Sequence, residues 1–176
     1  MSPPIVYLAG PGVFRQDALA WGSQLAALCD QHGLSGLFPL DNQLPPGLDP
    51  IQQRQWLFDA NCGAIRHADL VLADCRAFRS GSEPDSGTAF EIGYAHALGK
   101  PVYLWLPDVE PCHSLRDRIA VNLLPNGAPV DGEGLLVEDF AAPLNLMLWQ
   151  AAAGAIYATT PEAAIAQLAE TVRRST

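Results

Sequence analysis

The feature that most constrains the fold is an alternation of short apolar, β-prone runs with longer stretches whose apolar residues recur at helical spacing. Ile5-Val6-Tyr7-Leu8-Ala9 stops at Gly10-Pro11-Gly12, and residues 17–31 then carry the helical period. Leu37-Phe38 ends at the turn-rich Pro39-Leu40-Asp41-Asn42, before a second helical stretch over 50–67 that opens on Pro50, a residue suited to a first helical position. A carboxylate-bracketed strand over 69–74, a polar loop over 76–86, a third helix over 87–98 stopped by Gly99, and a strand over 101–106 follow. Strands and helices alternating in this way predict βαβ units with right-handed crossovers. The expected architecture is a single-domain α/β fold over residues 1–176. Its open, mostly parallel sheet would carry helices on both faces, a three-layer sandwich of the flavodoxin or Rossmann-like kind.

Beyond the fourth strand the pattern weakens. Residues 107–134 read as loop, with one helical turn near 115–119. Residues 140–160 contain no charged residue, but Pro143, Asn145, Gln150 and Gly154 interrupt them and no basic flank follows closely. That argues for a buried or subunit-interface segment and against a membrane span. Thr160-Pro161-Glu162 then opens a last helix to about residue 174, with Thr160 as N-cap.

A chain of 176 residues, half of them apolar, can bury one substantial core. Its 19 acidic residues outweigh 10 basic ones, and Lys100 is the only lysine, so no basic stripe is available for nucleic acid. The N-terminus lacks the basic and long apolar regions of a signal peptide, which gives a cytoplasmic expectation. Cys29, Cys62, Cys75 and Cys112 form no CxxC pair and read as free buried thiols. Glu110, Cys112 and His113 lack a distant fourth ligand, so no metal is expected.

In an open parallel sheet, ligands bind outside the carboxyl ends of the strands, which singles out the loops over 10–15, 41–43 and 74–86. The first has no third glycine at dinucleotide spacing, and the chain has neither a P-loop lysine nor a GxSxG elbow. No organic cofactor is expected. What remains is carboxylate chemistry, from Asp74, Glu83, Asp85 and Glu91 around the start of the third helix. Free N–H groups and peptide dipoles there favour negative charge, so such a carboxylate is expected to stay ionised and to act as a nucleophile or accept a sugar hydroxyl. Thr88-Ala89-Phe90-Glu91 also has the spacing of a capping box, which leaves open a purely structural Glu91. His96 sits about 140° around the helix from Glu91, so it reads as structural or surface. Tyr7 reads as a packed aromatic, unless neighbouring strands bring its hydroxyl toward the third helix.

The segment Pro84-Asp85-Ser86-Gly87-Thr88-Ala89-Phe90-Glu91-Ile92-Gly93-Tyr94-Ala95, with Gly99-Lys100-Pro101-Val102, closely resembles the signature of the nucleoside 2-deoxyribosyltransferase family. Tyr7-Leu8-Ala9-Gly10-Pro11 to Phe14, Pro39-Leu40-Asp41-Asn42-Gln43 and Asn145-Leu146-Met147 resemble its first loop, its second loop and its Asn-x-Met element. The resemblance implies Glu91 as the nucleophile on the anomeric carbon, and Tyr7 as the group that orients it. Asp85 would bind the sugar near its 5'-hydroxyl or assist proton transfer. Asn145 and Met147 would close the site of a neighbouring subunit in a homo-oligomer. Asn61 and Asp74 are candidates for holding the base, and Gly10, Phe14, Gln43 and Gly87 for lining the site. The partners implied are a deoxynucleoside donor and a free nucleobase acceptor. Asn61 stands where some members carry an acidic residue, and the loop over 78–83 is slightly long for the family. Two alternatives remain: a related N-glycosidase acting on deoxynucleoside 5'-monophosphates, whose counterpart of Asp85 is typically serine, and a non-catalytic nucleoside-binding module. Base class and subunit number stay open.

Overall fold

The computed structural model describes residues 2–41 and 44–175. Five parallel strands form the central sheet: β1 (Ile5–Ala9), β2 (Ser35–Leu37), β3 (Leu70–Asp74), β4 (Val102–Trp105) and β7 (Gly154–Ile156), in the order β2-β1-β3-β4-β7. The helices α1 (Ala18–Gln31), α2 (Pro50–His67), α3 (Ser86–Ala97), α5 (Leu146–Ala151) and α6 (Pro161–Ser175) cover it. The expected α/β sandwich is therefore the fold.

The pleat sorts side chains onto two cores. Val6 and Leu8 of β1, with Leu70 and Leu72 of β3, pack with Leu25 and Leu28 of α1 and Ile165 and Leu168 of α6. Tyr7 and Ala9, with Val71 and Ala73, pack with Ile65 of α2 and Ile92 of α3. All five residues of β3 are buried, as a central parallel strand covered on both faces requires. The chain leaves β1 toward β2 on one side and pairs with β3 on the other, so the crevice at their carboxyl ends is the topological switch point.

Most helix boundaries follow local chemistry. The Asp49 side chain accepts from Ile51 N and Gln52 N while Gln52 Oε1 accepts from Asp49 N, a capping box that starts α2 at Pro50. Thr160 Oγ1 accepts from Ala163 N at the head of α6, as expected. Asp17 precedes α1 but makes no cap bond, because its carboxylate is engaged by Arg15 at 2.8 Å.

The region after β4 is more structured than its sequence suggests. Besides the short α4 (Leu115–Arg118), it holds a two-stranded antiparallel ribbon of β5 (Asn122–Leu123) and β6 (Pro129–Val130). Arg118 ties it down by donating to Pro143 O at 2.6 Å. The uncharged stretch over 140–160 is not uniformly buried: Leu144 is 1% exposed, whereas Phe140 and Met147 are 65% and 71% exposed. Cys29, Cys62 and Cys75 are buried free thiols, but Cys112 is exposed, contrary to expectation. Among the described residues no helix is long and apolar enough to cross a membrane.

Candidate active site

Tyr7 is the middle residue of β1 and is 0% exposed, its ring directed toward the α2 and α3 side of the sheet. Its hydroxyl donates to Glu91 Oε1 at 2.5 Å. Burial raises the phenol far above its ordinary pKa and the adjacent carboxylate raises it further, so Tyr7 keeps its proton and serves as a donor. Glu91 lies midway along α3, with Ile92 beside it in the core. Burial pushes its carboxyl up to about 7, the Asp85 charge adds to that rise, and the Tyr7 hydrogen bond opposes it.

Two expectations about Glu91 are thereby corrected. It does not cap α3: Asp85 does, its Oδ2 accepting from Thr88 N at 3.1 Å and from Thr88 Oγ1 at 3.4 Å. Nor does the helix terminus keep Glu91 firmly ionised, because it stands too far along α3 for the first-turn N–H groups, and desolvation dominates. Gly87 is small for a visible reason: a Cβ there would lie 2.8 Å from Asp85 Oδ2. Tyr7, Asp85, Gly87 and Glu91 thus form one cluster.

A second cluster stands at the switch point. Gly10 has φ +147°, and a Cβ on it would come within 2.7 Å of Asp74 Cβ, so only glycine lets β1 turn away this close to the end of β3. Asp74 is 6% exposed, and Arg76 Nε donates to both its carboxylate oxygens, at 2.8 and 3.0 Å. Burial raises the Asp74 pKa and Arg76 pulls it back. A cavity of about 210 Å³ opens here, lined by Pro11, Phe14, Trp21, Asp74, Arg76 and Phe78 among others. Phe14 stacks on Phe78, ring centroids 5.2 Å apart, with the Arg79 guanidinium over both rings. Along β3 the pleat sends Leu70 and Leu72 toward α1, and Asp74 continues that alternation, whereas Tyr7 and Glu91 belong to the α2 and α3 side. The residues lining this cavity do not include Glu91.

Asn61 lies on α2 beside Cys62, whose thiol is raised first by burial and in small part by Glu91, which places this turn near the carboxylate. Asn61 Oδ1 is buried and has no hydrogen-bond partner among the described residues. Asn145 caps α5, its Oδ1 accepting from Met147 N at 3.0 Å, and Met147 projects outward. Gln43 lies outside the described residues. His96 is turned away, its Nδ1 3.1 Å from Ala151 O.

Arg76, Trp21 and Phe78 were not singled out by sequence. The signals were faint: an arginine two residues after the strand-ending Asp74, and Gly12, where a Cβ would lie 2.6 Å from Trp21 Nε1.

Residues 6–147 match the family model described as nucleoside 2-deoxyribosyltransferase. The structure is similar to that of a 2-desoxiribosyltransferase from Leishmania mexicana, with 34% identity, a TM-score of 0.68, and coverage of 96% of this chain and 98% of that one. It is also similar to a 2-deoxyribosyltransferase from Bacillus psychrosaccharolyticus, with 29% identity, a TM-score of 0.50, and coverage of 62% and 77%. An uncharacterized protein of Schizosaccharomyces pombe is 30% identical over 164 residues, 82% of this chain and 74% of that one. The carboxylate cluster on α3, the glycine-tight switch point and these likenesses agree, and the chain belongs to the nucleoside 2-deoxyribosyltransferase family of enzymes.

Proposed function

We propose that the chain moves the 2-deoxyribosyl group of a deoxynucleoside from one nucleobase to another through a covalent ester on Glu91, with retention of the β anomer. The observation that carries this reading is the 2.5 Å hydrogen bond from Tyr7 to Glu91, a carboxylate relieved of capping duty by Asp85. A Glu91 oxygen attacks the anomeric carbon, the carbon–nitrogen bond breaks, and the base leaves with its electron pair. A second base then attacks the same carbon and releases Glu91. Two inversions give net retention.

Tyr7 fixes one oxygen of Glu91 and leaves the other for attack. Asp85 receives the sugar near its 5'-hydroxyl or assists proton movement, with Gly87 giving its carboxylate room. The departing base needs a proton. Asp74, whose pKa burial raises, and Asn61, whose Oδ1 has no partner among the described residues, are suited to hold the base. Phe14 and Gly10 shape the space around it. Asn145 and the outward Met147 complete the site of a neighbouring subunit in a homo-oligomer.

A carboxylate at Asp85 would repel a 5'-phosphate, which favours nucleosides over nucleoside monophosphates. Incubation with 2'-deoxyinosine and free adenine, without phosphate, tests the reading: 2'-deoxyadenosine should appear, and a parallel reaction with thymidine as donor sets the base class. Release of free base from deoxynucleoside monophosphates, with no exchange from either nucleoside, would replace the transferase by a hydrolase. Binding without either reaction would leave a nucleoside-binding module.

A further inference from the structure

Glu138 stands in the irregular segment before α5, partly buried, and its carboxylate is engaged at both oxygens. Oε1 accepts from Asn145 Nδ2 at 2.6 Å, and Oε2 accepts from Leu146 N at 2.8 Å. One carboxylate therefore grips both the side chain of Asn145 and the backbone that follows it. The side-chain oxygen of Asn145 is held as well, by Met147 N at 3.0 Å. An asparagine amide has two N–H donors and two lone pairs, so these bonds leave it one N–H and one lone pair. That remainder matches a hydroxyl group, which both accepts and donates.

Glu138 is itself anchored. Val137 N donates to Pro129 O at 3.0 Å, attaching this segment to the β5–β6 ribbon, and Arg116 Nη1 reaches Asp139 at 3.2 Å. The far end of α5 is fixed to the catalytic helix through His96 and Ala151 O. The Asn145 amide is thus set by Glu138 on one side and by the packing of α5 on α3 on the other.

We infer that Glu138 is a positioning residue for the deoxyribosyl transfer: it locks the Asn145 amide and presents Met147 outward, so that a second copy of this chain receives a rigid hydroxyl-binding element. This rests on the reading that Asn145 and Met147 serve the neighbour's site. Charge-assisted hydrogen bonds from one carboxylate hold the amide more firmly than neutral ones could. A site element displaced by about 1 Å costs on the order of 100-fold in rate.

Glu138→Gln retains the size and one acceptor oxygen but meets either Asn145 Nδ2 or Leu146 N with an N–H group. It should fold, and should lower kcat/KM by roughly 10- to 100-fold, mainly through KM. Glu138→Ala should be lower still. The decisive experiment co-expresses Glu138→Ala subunits with Glu91→Gln subunits under separate tags and isolates the mixed assemblies. One partner supplies an intact Glu91 and the other an intact Glu138–Asn145 pair, so the mixed assemblies should be well above either homomeric variant in activity. Mixed assemblies no more active than the Glu138→Ala parent, or a Glu138→Gln enzyme with wild-type KM, would overturn the inference. A binding measurement separates this from the proposed reaction: 2'-deoxyinosine should bind Glu91→Gln about tenfold more tightly than Glu91→Gln/Glu138→Gln. Equal affinity would overturn the role of Glu138 whatever the wild-type protein catalyses, whereas absence of base exchange by the wild type with that affinity gap intact would overturn only the transferase reading.

Discussion

Tyr7 donates its hydroxyl proton to Oε1 of Glu91 across the packing boundary between β1 and α3, at 2.5 Å. The two residues are 84 positions apart, and the contact requires the β1–β3 pairing, the seating of α3 on the sheet and a pleat that turns Tyr7 toward α3.

The first consequence concerns pH. In the proposed reaction Glu91 attacks as a carboxylate, and burial raises its carboxyl to about 7. The acid limb of kcat/KM for base exchange, which reports the free enzyme, should rise with pH and level off above about 7. The Tyr7 hydrogen bond lowers the Glu91 pKa, so Tyr7→Phe should move that limb to higher pH as well as reduce the plateau. A pH–rate series on both proteins checks this, and an unmoved limb would detach Tyr7 from the charge on Glu91.

The same burial makes Glu91 a cost to the folded state. Its carboxyl binds a proton more tightly folded, near 7, than unfolded, near 4.5. Stability contributed through this group therefore falls as pH rises through that window and stays low above it. The full difference corresponds to roughly 3 kcal/mol, an upper bound because the side chain is partly open to solvent. Glu91→Gln keeps an oxygen for Tyr7 and removes the charge. Urea unfolding should show it about 1–3 kcal/mol more stable than wild type at pH 8 and nearly equal at pH 4, while base exchange is abolished.

At the switch point, Gly10 gives a purely steric prediction. An alanine there combines φ +147° with a Cβ 2.7 Å from Asp74 Cβ, and β1 and β3 are hydrogen-bonded and cannot separate freely. Gly10→Ala should destabilise the protein by about 2 kcal/mol or more, lowering Tm, and should displace Asp74 from Arg76. A variant with wild-type Tm would show that the loop relaxes.

The sheet was legible because its strands are short apolar runs between clear stop signals, and because a buried parallel strand such as Leu70–Asp74 has few other uses for its composition. β7 was not legible: Gly154-Ala155-Ile156 has neither length nor alternation, and becomes a strand only because β4 offers it a free edge. The ribbon of β5 and β6 was missed for the same reason, two residues being too few to carry a period. At the site, local spacing suited Thr88 and Glu91 to a capping box, but Asp85 took the cap and a tyrosine from β1 took Glu91. Sequence periodicity cannot choose between a cap and a distant phenol. The family signature pointed to the carboxylates that the fold gathers beside Tyr7, but not to Arg76, which pairs with Asp74 and partly offsets the rise that burial gives its pKa.

Asn61 offers a test in which stability and activity move in opposite directions. Its Oδ1 is buried without a hydrogen-bond partner among the described residues, and an unsatisfied buried oxygen costs about 1–3 kcal/mol. In the proposed site the nucleobase satisfies it, and Asn61 stands next to Cys62, whose thiol feels the Glu91 charge. Asn61→Leu, similar in size and apolar, should raise stability by about 1 kcal/mol and weaken nucleoside binding, read as a higher Tm together with a higher KM. Asn61→Asp should keep an acceptor while adding a negative charge to the Asp85 charge already felt by Glu91, which would raise the Glu91 pKa and shift the acid limb upward. A leucine variant that gains stability without any change in KM would make Asn61 a flaw of packing and remove it from the site.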